Sequence, residues 1–113
     1  MIEVYLDENL SEYVADALNS LNKGYFKEII VRSTKTQFGK GEKDEVIIPS
    51  VGKSAGILIT RDLNIQRTRL QYQLCEKYNL GMMIIKLPQG MNKQWEIVKI
   101  LISSWEEIID KRK

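Results

Sequence analysis

Short runs of apolar residues alternate along the chain with segments whose hydrophobic residues recur at helical spacing. Apolar runs of this length, bounded by turn residues, are typical of strands. Four strands are predicted: IEVYL at 2–6, FKEIIVRS at 26–33, GILIT at 56–60 and GMMIIKL at 81–87. Helices are predicted about Ser11 to Asn22, from Asp44 onward and over the C-terminal segment. The segment from Asp62 to Asn79 is predicted to be a polar helix, or a loop followed by a helix.

The first and last helices have the clearest apolar faces. The predicted buried face of the first consists of Leu10, Val14, Ala17, Leu18 and Leu21. The predicted stripe of the last consists of Trp95, Val98, Ile102, Trp105 and Ile109. Core packing or a dimer contact explains the two tryptophans of this stripe better than base stacking does. Gly24 is expected to end the first helix.

The middle of the chain is less regular. TKTQFGKGEK at 34–43 has two glycines and no hydrophobic pattern, and it is predicted to be a polar loop. Asp44 is expected to be the N-cap of the helix that follows. Pro49 should kink that helix or start a new one, because proline lacks the backbone N–H that a helix interior needs.

Strands that alternate with helices predict a parallel sheet, joined by right-handed crossovers and covered by helices on both faces. The predicted order is β-α-β-α-β-α-β-α. A chain of 113 residues is long enough for one core and too short for two. We therefore expect an α/β fold: one domain over residues 1–113, a three-layer sandwich with a mainly parallel sheet of about four strands.

Composition restricts the chemistry that the chain can perform. It has no histidine and one cysteine, Cys75, which excludes zinc sites of the Cys and His type and an intramolecular disulfide. A net charge of +2 argues against a protein that coats a polyanion but permits local basic patches. Carboxylates must therefore carry any hydrolytic reaction.

Neither a membrane span nor a signal peptide is predicted. The longest apolar runs fall short of the roughly 18 residues that a span needs. Glu3 and Asp7 interrupt the N-terminal segment, unlike the apolar core of a signal peptide. We expect a cytoplasmic protein with no membrane contact.

Three aspartates stand where the predicted structure changes: Asp7 after the first strand, Asp44 at a helix start and Asp62 after the third strand. If the first and third strands are neighbours, the three carboxylates converge at the carboxyl edge of the sheet, where ligands of α/β folds collect. Without a cation they would repel one another. Mg²⁺ or Mn²⁺ prefers such oxygen ligands and activates water for attack on phosphorus. Catalytic and metal-binding roles are therefore predicted for these three residues.

Two polar residues close to these aspartates in sequence are further candidates for the metal site. Asn64 is a further candidate ligand, directly or through a metal-bound water, whereas a solvated turn explains Glu8 better. Alternatively, each aspartate only caps the helix that follows it. Capping and metal binding are compatible, because a helix N-terminus favours a carboxylate.

Basic residues follow the acidic positions. Arg61, Arg67, Arg69 and Lys53 are the predicted RNA-binding residues. Guanidinium groups bind phosphate through two parallel hydrogen bonds, which suits a nucleic-acid backbone. Alternatively, these side chains belong to an ordinary solvated helix face and have no ligand.

The motifs resemble those of the PIN-domain superfamily, in particular compact PIN-like proteins similar to VapC-type toxin ribonucleases. They read YLDENL at 5–10, GKGEKDEVIIPSVGKSAG at 39–56 and ILITRDLNI at 57–65. The resemblance extends to about Pro88. Asp7, Asp44 and Asp62 fall on the first three acidic positions of the family, and Asn64 stands near the place of a further one.

The resemblance implies a PIN-like fold and a Mg²⁺- or Mn²⁺-dependent ribonuclease, often the toxin of a type II toxin-antitoxin pair. RNA substrate, a small antitoxin protein and a homodimer are the partners that it implies, and the C-terminal helix is a candidate dimer surface. One alternative is a catalytically weak module that binds RNA or protein. Another is a phosphate-receiving signalling domain with Asp62 as acceptor, although GMMIIKLP lacks the hydroxyl that such domains carry on the fourth strand.

Overall fold

A computed structural model describes residues 2–7, 10–25, 28–53, 56–61, 65–85 and 94–112, without the side chains of 25, 65, 94 and 109–112. The strands are β1 (Ile2–Leu6), β2 (Ile29–Ser33), β3 (Ile57–Arg61) and β4 (Gly81–Ile85). The helices are α1 (Glu12–Tyr25), α2 (Thr34–Phe38), α3 (Asp44–Gly52), α4 (Ile65–Lys77) and α5 (Gln94–Arg112). None of the helices in these ranges is long and apolar enough to cross a membrane.

The four strands form one parallel sheet in the order β2-β1-β3-β4. Leu6 in the central strand β1 pairs with Ser33 on one side and with Ile59 on the other. Ile59 in turn pairs with Met83. The predicted parallel α/β sheet is confirmed, and β1 and β3 are neighbours, as the convergence of the aspartates requires.

Alternation along the strands builds two cores, one on each face of the sheet. Val4 and Leu6 point to the face covered by α1 and α5. Tyr5 and Leu58 point to the opposite face, where they pack against α3 and α4. Because side chains alternate between faces along a strand, one run of apolar residues supplies both cores. The predicted three-layer arrangement is confirmed.

The predicted buried face of α1 is partly wrong. Ala17 and Leu21 are exposed, and Ala15 is buried instead. The reason is a buried polar residue: Asn22 accepts a hydrogen bond of 2.9 Å from Nε1 of Trp105. Because this bond satisfies Asn22 in the core, the buried face of α1 includes a polar residue. A prediction from apolar residues alone therefore misplaces that face.

The stripe predicted on α5 is also displaced. Trp95 is 74% exposed and Ile102 is 53% exposed, although both were expected on the apolar side. The side chain of Ile109 lies outside the described residues. The buried residues of α5 are Ile97, Leu101, Trp105 and Ile108. Trp105 therefore packs in the core as expected, whereas Trp95 does not.

Three boundaries differ from the prediction. The segment expected to be a polar loop contains α2, whose Phe38 ring lies 6.2 Å from the ring of Tyr5. α3 continues through Pro49 as one helix, and α1 continues past Gly24 to Tyr25. The short helix α2 was missed because Phe38 is its one apolar residue, which leaves no periodic pattern.

The outer edge of β2 is covered by a side chain rather than by another strand. Nδ2 of Asn19 donates to the carbonyl of Val31, and the N–H of Val31 donates to Oδ1 of Asn19, both at 2.7 Å. These are the two hydrogen bonds that a further strand would make at this residue. The amide of α1 therefore blocks strand addition here.

Replacement of Gly56 should destabilise the fold because a backbone atom stands in the way. An added Cβ would lie 2.6 Å from the carbonyl oxygen of Glu3 in β1. We expect Gly56→Ala to cost about 1–3 kcal/mol, the size of an overpacking strain. In Gly24→Ala, the control, the Cβ meets nothing within 4 Å, and stability should be unchanged or rise by up to about 1 kcal/mol. Thermal unfolding compares the two variants, and an equal Tm would contradict this steric explanation.

Candidate active site at the carboxyl edge of the sheet

Asp7 extends β1 by one residue at the carboxyl edge. Its N–H donates to the carbonyl of Ile59 at 2.9 Å, which continues the pairing with β3. Its side chain is buried and accepts a hydrogen bond of 3.1 Å at Oδ2 from the hydroxyl of Thr60. Because Asp7 and Tyr5 are two residues apart, both face α3 and α4.

Asp44 occupies the first position of α3, on the buried face of that helix. Ile47, Ile48 and Val51 follow it at spacings of three, four and seven and pack in the core. The prediction that Asp44 is the N-cap is wrong: Lys43 holds that position, without a side-chain hydrogen bond to the helix. The carboxylate of Asp44 is directed instead toward α4.

The capping alternative also does not describe Asp7. Ser11 precedes α1, and its hydroxyl oxygen accepts a hydrogen bond of 3.1 Å from the N–H of Tyr13. This is the bond that an N-cap side chain makes. Asp7 therefore lies buried at the sheet edge for a reason other than capping α1.

The guanidinium of Arg67 on α4 connects the two carboxylates. Its Nε and Nη2 donate to Asp44 Oδ2 and Oδ1 at 3.1 and 3.3 Å. The same Nη2 donates to Asp7 Oδ1 at 3.0 Å. Burial acts to lower the pKa of Arg67, but the hydrogen bonds and charges of Asp44 and Asp7 outweigh it and raise the pKa. One permanent positive charge thus holds two acidic side chains together.

Two more residues of α4 continue this face at spacings of four. The amide of Gln71 is buried and donates to Asp44 Oδ1 at 3.4 Å. One turn further, burial, with the charge of Asp44 adding to it, raises the pKa of the Cys75 thiol to about 11. Near neutral pH the thiol is therefore protonated and a poor nucleophile.

Two hydroxyls at the same end of the sheet are buried without a partner. Ser33, which pairs with Leu6, and the following Thr34 make no side-chain hydrogen bond within the part of the chain that the structure describes. Buried polar atoms are nearly always satisfied, by protein or by ordered water. The two hydroxyls at this end of the sheet therefore have hydrogen-bonding capacity that the described residues do not use.

The donor chemistry of the edge fits a divalent cation. Asp7 and Asp44 are buried carboxylates of the kind that Mg²⁺ and Mn²⁺ prefer, and they already share one positive partner. Within 2–7, 10–25, 28–53, 56–61, 65–85 and 94–112, no group of three or more acidic or cysteine side chains could hold a metal. Asp62 and Asn64 lie outside the described residues, so their predicted part in the site stays a prediction.

The predicted RNA-binding residues do not form one patch. Arg61 ends β3 at the same edge as Asp7 and is partly buried. Arg69 is exposed on α4, two residues from Arg67 and hence on another face of the helix. Lys53 is exposed just past the end of α3, about 13 Å of helix rise away from Asp44. Arg67 contacts both carboxylates directly.

Sequence reasoning missed the contacts of Thr60, Arg67 and Gln71. The spacing of Arg67, Gln71 and Cys75 by four residues does mark one face of α4. Thr60 is likewise marked, because it is the residue opposite Asp7 once β1 and β3 are paired. Neither the spacing on α4 nor the position of Thr60 can be assigned to the site until the order of the strands is known. A single sequence does not specify that order.

Comparison with known proteins agrees with this architecture. Residues 2–87, which include all four strands, match the family described as PIN like domain. No curated protein and no solved structure matches the chain. The match covers most of the 113 residues and includes Asp7, Asp44 and Arg67. The chain therefore belongs to the PIN-like domain family.

Proposed function

We propose that the chain is a metal-dependent endoribonuclease acting at the edge formed by Asp7 and Asp44. PIN domains are in general nucleases. The proposal rests on one observation: the buried carboxylates of Asp7 and Asp44 both form an ion pair with the guanidinium of Arg67. Burying two acidic groups beside each other is costly unless a cation compensates them, so such a pair suits a cation-dependent reaction.

In this proposal Asp7 and Asp44 hold Mg²⁺ or Mn²⁺, with Asp62 as the third ligand and Asn64 on a metal-bound water. A bound divalent cation supplies an activated water and stabilises the departing oxygen of the phosphodiester. Thr60 and Gln71 fix the orientation of the two carboxylates through their hydrogen bonds. Such supporting contacts keep ligand oxygens in place while substrate binds.

Binding of the RNA backbone falls to the basic side chains. Arg61 lies at the same edge as the carboxylates and is the best placed of them. Arg67 adds a guanidinium within the site, while Arg69 and Lys53 are exposed and contact only a longer stretch of RNA. Each neutralised phosphate makes the binding more sensitive to salt.

The role of a VapC-type toxin with an antitoxin partner is part of the same proposal. It rests on the motif resemblance and on apolar side chains that a partner would cover. Leu21 on α1 and Ile102 on α5 are exposed, yet they line one small cavity together with Trp105. This α1 and α5 surface is our candidate for a homodimer or antitoxin contact.

One observation favours a second candidate, a catalytically weak module that binds RNA. Arg67 already neutralises part of the charge of Asp7 and Asp44, so the edge is stable without a metal. A module of this kind would bind RNA in a salt-sensitive manner and would release no product.

Removal of divalent metal separates the two candidates. We expect the purified chain to cleave single-stranded or structured RNA with Mg²⁺ or Mn²⁺, to lose the activity in EDTA, and to regain it when Mn²⁺ is added in excess. Gel analysis of end-labelled RNA measures cleavage, and filter binding at two salt concentrations measures affinity. Salt-sensitive binding with no metal-dependent cleavage of either RNA would overturn the nuclease proposal in favour of the binding module.

A further inference from the structure

We infer that Arg67 is a built-in occupant of the cation position, which competes with divalent metal for Asp7 and Asp44. This inference rests on the proposed function, because it concerns how the same site takes up its metal. A chain with such an occupant would keep its acidic residues compensated when no metal is bound.

The oxygen atoms that Arg67 uses are those that a metal would need. Its guanidinium takes both oxygens of Asp44 and Oδ1 of Asp7, at 3.0–3.3 Å. The remaining oxygen of Asp7 accepts the hydroxyl of Thr60. Magnesium binds carboxylate oxygens at about 2.0–2.1 Å, so a cation between these side chains and the guanidinium in its present place exclude each other. Like charges at that distance also repel.

The arginine, rather than either aspartate, is placed to move. Its side chain is 32% exposed, against 2% for Asp7 and 9% for Asp44. Thr60 and Gln71 donate separate hydrogen bonds to the two carboxylates, so each aspartate has a further side-chain contact besides Arg67. An arginine side chain that reaches solvent can rotate away without repacking the core.

Competition of this kind lowers the apparent affinity for metal, because metal can bind only to the fraction of molecules in which Arg67 has left the two aspartates. Arg67→Gln removes the positive charge and leaves a shorter polar side chain that cannot bridge the two carboxylates as Nη2 of Arg67 does. We expect this variant to bind Mn²⁺ at least about tenfold more tightly than the wild type. The double variant Arg67→Gln with Asp7→Asn should lose that binding, because the negative charge of one proposed ligand is gone.

The experiment measures Mn²⁺ binding by isothermal titration calorimetry without RNA, so that catalysis does not enter. Arg32→Gln is the matched control: it makes the same chemical change on β2, where Arg32 lies 3.8 Å from Glu3, and it should leave Mn²⁺ affinity unchanged. Thermal unfolding is the second readout. In EDTA the Tm of Arg67→Gln should fall below that of the wild type, and Mn²⁺ should raise it by more.

Equal Mn²⁺ affinity in the wild type and Arg67→Gln would overturn the competition while leaving a metal-dependent nuclease intact. No Mn²⁺ binding by either protein, together with no cleavage, would overturn both the competition and the proposed function. If Arg67→Gln does not fold in EDTA, folding on addition of Mn²⁺ supports the inference, and failure to fold with Mn²⁺ contradicts it.

Discussion

Asp7→Asn is expected to lower the rate of RNA cleavage by roughly 10²–10³-fold, the loss seen when one preorganised electrostatic contact to a transition state is removed. The amide keeps the shape of the side chain and still accepts the hydroxyl of Thr60, which now reaches Oδ2 at 3.1 Å. It loses the negative charge that a cation needs. The rate is measured on end-labelled RNA with saturating Mn²⁺, after circular dichroism has confirmed that the variant is folded.

Asp16→Asn is the matched control for this substitution, because Asp16 is exposed on α1 and belongs to neither the site nor the core. It should cleave as the wild type does, whereas loss of cleavage in Asp7→Asn purified in the same way excludes a contaminating ribonuclease as the source of the activity. Growth of cells that express the chain is a second readout: we expect arrest with wild type and Asp16→Asn, and none with Asp7→Asn. Undiminished cleavage by folded Asp7→Asn would exclude a catalytic role for this carboxylate.

Ile59→Ala is expected to reduce the free energy of unfolding by about 2–5 kcal/mol, as for other buried isoleucines truncated to alanine. Ile59 is fully buried in β3, between β1 and β4, and packs in the core beneath α1 and α5. Its truncation removes transfer free energy and leaves a cavity. For a chain of this size the Tm should fall by roughly 10 °C or more.

Ile102→Ala makes the same change on the outside of α5, where the side chain is 53% exposed. Little apolar surface returns to water there, so the expected loss is under about 1 kcal/mol. Urea unfolding at one temperature compares both variants with the wild type. A loss in Ile102→Ala as large as in Ile59→Ala would contradict this placement of Ile102 at the surface and Ile59 in the core.

The sequence was sufficient for the sheet but not for every helix. Buried parallel strands are nearly continuous apolar runs, and IEVYL and GILIT carry that signal without help from their neighbours. Which face of a helix is buried depends on the elements that pack against it. Asn22 lies in the core because Trp105 donates to it from α5, a contact between residues 83 positions apart. No local pattern contains such a bond.

The sequence pointed to the acidic residues of the candidate site but not to the ion pairs that Arg67 makes with them. Asp7 was identified because an aspartate directly after a buried strand is unusual, and Asp44 because it opens a helix that can point its first turn at the same edge. Arg67 was interpreted as a contact for RNA because guanidinium groups bind phosphate. Its partners depend on how α4 crosses the sheet, which is set by tertiary packing rather than by residues near Arg67 in sequence.

Two side-chain partners of Asp7 also bear on the order in which the chain folds during synthesis. Thr60 and Arg67 follow Asp7 by 53 and 60 residues, and β3 must be present before β1 has neighbours on both sides. A nascent chain that ends after β2 would have to bury the carboxylate of Asp7 without the hydroxyl of Thr60 and the charge of Arg67. We therefore expect the domain to form in one late step, once α4 has been synthesised, rather than from its N-terminus onward.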